Sequence, residues 1–178
     1  MNKLLPLKFQ VSHYMAMLAR HFSEPLSRDE LHRMDNAGTL TPGLLCGGTL
    51  LNMNYLEIDR FSASTKATAT LFVASGGDFV RIATTVRNLQ GERAVGTTLE
   101  RSHPGYKSLQ SGMSFAGYAT LFGKQYMTKY EPIRDGAGRV IGVLYVGLDV
   151  SDVFTLSIWS RMSLLTLVFA FAVMLGYA

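Results

Sequence analysis

Arg81 is the residue best placed to do chemistry, because it lies in the middle of an apolar segment, residues 78–86. If this segment is a strand, its side chains alternate between two faces, and Arg81 shares one face with Phe79 and Ala83. A guanidinium in that position can bind a carboxylate through two parallel hydrogen bonds. It can also point into solvent or pair with a nearby acid such as Asp78, and the sequence leaves these interpretations open.

Hydroxyl-bearing side chains recur in two later segments, residues 117–122 and 126–134. Tyr118 belongs to the row of side chains on one face of the first segment, and Tyr126 and Thr128 belong to the row on one face of the second. If the segments pair as a hairpin, we expect the two rows to lie side by side. A few polar groups on an apolar wall are typical of a small-acid pocket. Cross-strand aromatic packing with the hydroxyls in water is the alternative.

Lys124 lies at the turn between these two segments, where it is either a solvated turn residue or a further contact for an acid. Lys129 alternates onto the opposite face and is expected to be exposed. The predicted ligand-binding residues are Arg81, Tyr118, Tyr126, Thr128, Lys124 and Tyr130.

No arrangement typical of an enzyme is present in the sequence. The four His residues have no metal-ligand spacing, and there is no nucleophile elbow, P-loop or dinucleotide fingerprint. The single cysteine, Cys46, has no evident base beside it and is expected to be an inert thiol. His103, which precedes Pro104, is expected to be a loop or cap residue. We therefore predict a protein that is not an enzyme and that holds no metal and no cofactor.

The charge of the chain is mildly basic and spread out. The 178 residues include 17 Lys and Arg against 13 Asp and Glu, a net charge of +4. The basic residues form no stripe of the kind that binds nucleic acid. An apolar content of 48% supports one domain with a real core. We therefore exclude nucleic acid as a partner.

Three successive strands are predicted at residues 117–122, 126–134 and 140–150, and the last is apolar enough to be buried on both faces. The Asp135-Gly136 pair before a β-branched run is a strong hairpin signal. A further hairpin is predicted at residues 69–74 and 78–86, around Ser75-Gly76-Gly77.

Helices are predicted mostly before the strands. Apolar residues recur at helical spacing over residues 9–22, and Pro25 ends that helix. Ser27 and Glu30 match a capping box, which predicts a short helix over residues 27–36. Two more short helices are expected, at 55–62 and 106–110. Strands gathered after helices indicate an α+β fold.

Residues 162–178 carry no charge and are at the lower limit of a membrane span. Trp159 and Arg161 precede them and suit the membrane interface. We expect a C-terminal transmembrane helix, with a buried core helix as the alternative.

Several segments resemble one family in order and spacing. They are TLFV at 70–73, DFVRIATTV at 78–86, HPGY at 103–106, ATLFGKQYMTKYEPIRD at 119–135 and VIGVLYVGLD at 140–149. Over about residues 45–152 the chain resembles the single Cache domains, of the Cache 3/Cache 2 fusion type, of bacterial methyl-accepting chemotaxis proteins.

The resemblance implies a PAS-like antiparallel sheet, preceded by a long N-terminal helix and followed by a C-terminal transmembrane helix. The expected division is an N-terminal helical region at 1–44, a sensor domain at 45–152 and a truncated transmembrane helix at 154–178. A periplasmic sensor anchored in the inner membrane, a homodimer and a short carboxylate ligand are also implied.

The implied function is the ligand-binding half of a chemotaxis transducer. Two alternatives stay open. The same sensor could belong to a histidine kinase or a diguanylate cyclase. It could also be a membrane-anchored binding fragment without signalling, because residues 1–22 do not resemble the first membrane span of such receptors.

Overall fold

The computed structural model describes residues 6–151. The helices within these residues are α1 (Leu7–Ala19), continued by a 3-10 turn at Arg20–Phe22, α2 (Leu56–Thr65) and α3 (Tyr106–Gln110).

Five strands form the main antiparallel sheet. They are β4 (Thr68–Ser75), β5 (Asp78–Thr84), β6 (Phe115–Leu121), β7 (Lys124–Arg134) and β8 (Val140–Asp149). Their order in the sheet is β5-β4-β8-β7-β6. The middle strand, β8, is apolar along its length, as a strand that is covered on both faces should be. The predicted meander is thus confirmed as β6, β7 and β8, and the predicted hairpin as β4 and β5.

A smaller sheet precedes the main one and corrects the prediction for residues 27–36, which form no helix. Its strands are β1 (Leu26–Asn36), β2 (Thr39–Cys46) and β3 (Thr49–Leu50). The cause is the two-residue turn at Ala37 and Gly38, which pairs β1 with β2 and overrides the local capping signal. Within the predicted helical region at 1–44, the described helix therefore ends at Phe22.

Alternation along the strands divides the interior into two apolar clusters. On one face of the main sheet, the stripe of α1 formed by Val11, Met15 and Leu18 packs against β7 and β8. On the other face, a second cluster gathers Phe72, Tyr145, α3 and the loop before it. One face therefore holds the helix, and the other is available for a ligand.

The remaining predicted helices agree with the structure, although α2 starts and ends slightly later than expected. No helix within residues 6–151 has the length and apolar character needed to cross a membrane. The segment predicted to do so, 154–178, lies outside the described residues.

Candidate ligand site

A cavity of about 670 Å³ lies over the main sheet, on the face opposite α1. Arg81 of β5 borders it on one side, and the β6–β7 hairpin borders it on the other. The loop between β5 and α3 covers it; we call residues 96–104 of this loop the strap. The residues that line the cavity are Arg81, Thr97, Thr98, Leu99, Glu100, Ser102, His103, Pro104, Tyr118, Ala119, Thr120, Leu121, Phe122 and Gln125.

Backbone hydrogen bonds attach the start of the strap to β5. The amide of Gly96 donates to the Arg81 carbonyl at 2.8 Å, and the Arg81 amide donates to the Thr97 carbonyl at 2.9 Å. The Leu99 amide donates to the Phe79 carbonyl, also at 2.9 Å. The strap therefore pairs along the outer edge of β5, as an additional strand would, and Arg81 lies at this pairing.

Gly96 fixes the strap against the small sheet. Its φ is +78°, and a Cβ at this position would overlap the carbonyl oxygen of Asn36. The Thr39 hydroxyl donates to the Gly96 carbonyl at 3.0 Å. Only glycine combines this backbone angle with such a close approach, so the small sheet supports the strap from behind.

The Arg81 side chain is 4% exposed. Its Nη1 donates to the Thr97 hydroxyl at 2.7 Å and to the Thr98 carbonyl at 3.0 Å. The pairing with Asp78 that the sequence allowed is wrong, because Asp78 accepts two hydrogen bonds from Arg101 instead. Within residues 6–151, no carboxylate forms an ion pair with Arg81.

Aromatic rings surround the Arg81 guanidinium, with the centroids of Phe72 and Phe122 at 4.9 Å and 5.7 Å from its Cζ. Burial lowers the pKa of Arg81, while the neighbouring Tyr130 hydroxyl acts in the opposite direction. An arginine nevertheless stays protonated in a protein. A buried cation without an anionic partner is costly, so an anion entering the cavity would stabilise it.

His103 presents a second donor. Its Nδ1 accepts a hydrogen bond from the Gly105 amide at 3.1 Å, so the ring proton of the neutral form lies on Nε2. Nε2 is buried and has no hydrogen-bond partner within the described residues. Burial, and then the charge of Arg81, lower the pKa of His103. Of the two expected roles, loop or cap, His103 has the first: one ring nitrogen accepts from the loop backbone, α3 has no side-chain cap, and the other ring nitrogen is an unused N–H donor.

Tyr130 lies beneath this site without bordering the cavity. Its ring centroid is 4.8 Å from that of His103 and 4.9 Å from that of Tyr145. The Tyr130 hydroxyl is buried without a partner in the described part of the chain, and burial raises its pKa. Buried polar groups in proteins are normally paired. Two unpaired polar atoms, His103 Nε2 and the Tyr130 hydroxyl, on two rings in contact are therefore unusual.

Tyr118 borders the cavity, as Arg81 does, but it does not share a face with the other predicted tyrosines. The turn between β6 and β7 has two central residues, so an even-numbered residue of β6 pairs with an odd-numbered residue of β7. Paired residues share a face of the sheet. Tyr118 thus lies opposite Met127, and Ala119 lies opposite Tyr126. The expectation that the two hydroxyl rows lie side by side is wrong.

The other predicted residues make contacts within the protein. Thr128 donates its hydroxyl to the Gly117 carbonyl at 2.7 Å. Lys124 pairs with Asp149, with 3.2 Å between Nζ and Oδ2. Tyr126 is buried, and its pKa is raised by that burial and by the charge of Asp149. Lys124, Tyr126 and Thr128 do not border this cavity.

Sequence reasoning missed the residues of the strap, above all Thr97, Thr98, Glu100 and His103. A signal was present, because the chain runs for about twenty residues between β5 and α3 without a helix or strand. Loops of that length in a compact domain are usually functional.

Cys46 lies away from the cavity. It is partly buried, and its Sγ is 3.5 Å from the Glu24 carbonyl oxygen. Among the described residues, no group of His, Cys, Asp and Glu could hold a metal ion.

Comparison with known proteins gives one result. No curated protein matches the chain. The family model of the Cache 3/Cache 2 fusion domain matches residues 6–157, which include α1, both sheets and the strap. Domains of this kind are extracytoplasmic modules that bind small molecules, in agreement with a cavity between a sheet and a loop. The chain therefore belongs to the Cache 3/Cache 2 fusion domain family.

Proposed function

We propose that this sensor domain binds a small molecule through a carboxylate group, in the cavity between the strap and the main sheet. One observation carries the proposal: Arg81 is almost fully buried at the cavity wall, with no ion pair to a carboxylate within residues 6–151. A carboxylate ligand supplies the missing negative charge and two acceptor oxygens.

The remaining groups fit the same ligand. Arg81 contacts the strap through Nη1 and has further N–H groups for a ligand. His103 lines the same cavity and places a neutral imidazole beside it. Apolar side chains of Leu121 and Phe122 form the opposite wall. The volume of about 670 Å³ is within the range of small-molecule pockets.

The test is a melting screen of the full chain in mild detergent, with acetate, propionate and butyrate beside their uncharged amides. A ligand that binds the folded state alone raises the melting temperature. At least one acid should raise it while its amide does not. Arg81→Met should abolish the shift.

The matched control is Arg20→Met, because Arg20 is exposed and outside the cavity. This variant should keep the full shift. An acid-dependent shift that survives in Arg81→Met would refute the assignment of Arg81, and the absence of any shift would refute short monocarboxylates as the ligand.

We further propose that the domain serves a methyl-accepting chemotaxis transducer, an inner-membrane homodimer whose residues 154–178 cross the membrane. The support is the resemblance of the strand motifs and the position of β8. This strand is paired to both β4 and β7 and leads into the predicted span. A ligand that favours one packing of strap and sheet would shift the populations of two arrangements of that strand.

A chimera tests this output. The full chain joined to the cytoplasmic half of an established chemoreceptor should give acid-dependent changes in swimming, and Arg81→Met should abolish them. A chimera that binds the acid without any response would favour a kinase, a cyclase or a binding fragment without output.

A further inference from the structure

The cavity carries charges of both signs. Among the described residues that line it, Arg81 is the basic one and Glu100 is the acidic one. Arg81 is buried, whereas Glu100 belongs to the strap and is exposed. The two charges thus lie at different depths of one cavity.

Glu100 is not neutralised by the rest of the described chain. Its carboxylate accepts a hydrogen bond from the Ser102 hydroxyl at 3.3 Å and forms no ion pair with a basic side chain of residues 6–151. Its negative charge acts to raise the pKa of both Arg81 and His103. Glu100 is therefore within electrostatic reach of both groups.

Arg81 contacts the strap two residues before Glu100. Arg81 Nη1 is 3.0 Å from the Thr98 carbonyl oxygen, and Thr98 pairs with Val80 in an isolated bridge. From Thr98 the strap continues to Glu100 with Leu99 buried between them. Two residues of extended chain advance about 7 Å. A small molecule that carries charges of both signs can therefore meet both residues within the one cavity that they line.

We infer that the ligand is a zwitterion of the amino acid class, with its carboxylate on Arg81 and its ammonium group on Glu100. This inference rests on the proposed carboxylate site and specifies its ligand. The ammonium group donates to the Glu100 carboxylate, while the guanidinium donates to the acid end. A second carboxylate would meet the like charge of Glu100, so dicarboxylates are disfavoured.

The test uses pairs of ligands that differ in the amino group alone, namely alanine with propionate and γ-aminobutyrate with butyrate. Affinities are measured by calorimetry on the full chain in detergent. The amino acid of at least one pair should bind about two- to fivefold more tightly than its partner, which is the scale of one exposed charge pair. Succinate should bind more weakly than either.

Glu100→Gln removes the charge but keeps the shape, and it should bring the two members of the pair to equal affinity. The matched control is Glu24→Gln, because Glu24 is exposed and outside the cavity. This control should keep the preference for the amino acid.

The outcomes separate the two proposals. If neither member of any pair binds, the carboxylate site itself is wrong. If acids bind as tightly as their amino partners, or if Glu100→Gln keeps the preference, the zwitterion is wrong while the carboxylate site stands.

Discussion

Arg81 joins two parts of the protein through one guanidinium. Nη1 holds the strap at Thr97 and Thr98, and the guanidinium lies over the rings of Phe72 and Phe122. A lysine at this position could keep the charge but not the planar fork that serves strap and ligand together. The same residue therefore shapes the cavity and is the proposed partner of the ligand.

His103 should make stability depend on pH. Its folded-state pKa is below the ordinary value of 6.5, so below that pH the unfolded chain binds a proton that the folded chain does not. Stability should fall as the pH decreases from about 7 to about 5. His103→Asn keeps an acceptor for the Gly105 amide but cannot titrate. Its melting temperature should fall less over this interval, and an unchanged pH profile would contradict the prediction.

The Tyr130 hydroxyl should lower the free energy of unfolding of the ligand-free protein, because it is buried without a partner in the described chain. Tyr130→Phe should raise the free energy of unfolding by about 1 kcal/mol. The matched variant is Tyr145→Phe, whose hydroxyl is 3.3 Å from the Thr68 hydroxyl. That variant should lose about 1 kcal/mol. Urea denaturation measures both, and equal losses would show that the Tyr130 hydroxyl is paired.

At the level of elements, β8 packs tightly against its neighbour β4. At Gly142 it passes so close to β4 that an added Cβ would overlap the Phe72 carbonyl oxygen. Gly142→Ala should therefore lower the free energy of unfolding by about 3 kcal/mol. Gly136→Ala is the control, because a Cβ there meets nothing within 4 Å. Equal denaturation midpoints for the two variants would show that β8 can shift away from β4.

The sequence predicted those elements whose signals are local. Apolar β-branched residues and the Asp135-Gly136 turn were sufficient for β7 and β8, and helical spacing was sufficient for α1. It failed for β1 because the capping pattern at Ser27 is local, whereas the pairing with β2 depends on the hairpin that follows. Tertiary pairing overrides such weak propensities.

The candidate site was predictable only in part, for the same reason. A charged residue amid an apolar strand is visible in the sequence, so Arg81 was identified. The closeness of β5, the strap and the β6–β7 hairpin depends on the curvature of the whole sheet and on the Gly96 contact. Neither has a local signal, so Glu100 and His103 were not assigned to the site.

Over the whole molecule, ligand binding should protect one face of the sheet. Hydrogen exchange with propionate or alanine, whichever binds more tightly by calorimetry, should slow in residues 97–104 and 118–122, because these segments enclose the cavity. The β1–β2 turn at Ala37 and Gly38 lies outside it and should be unchanged. Protection that is confined to β1 and β2 would place the ligand elsewhere.

The two-sided sheet has a consequence for how such sensors diversify. The cluster under α1 supplies packing that does not involve the cavity, so substitutions in the strap leave it intact. Loops carried on a rigid scaffold tolerate change more readily than the scaffold does. A lineage of this domain can therefore exchange one ligand for another through a few strap positions, Glu100 first among them, while inheriting the same fold.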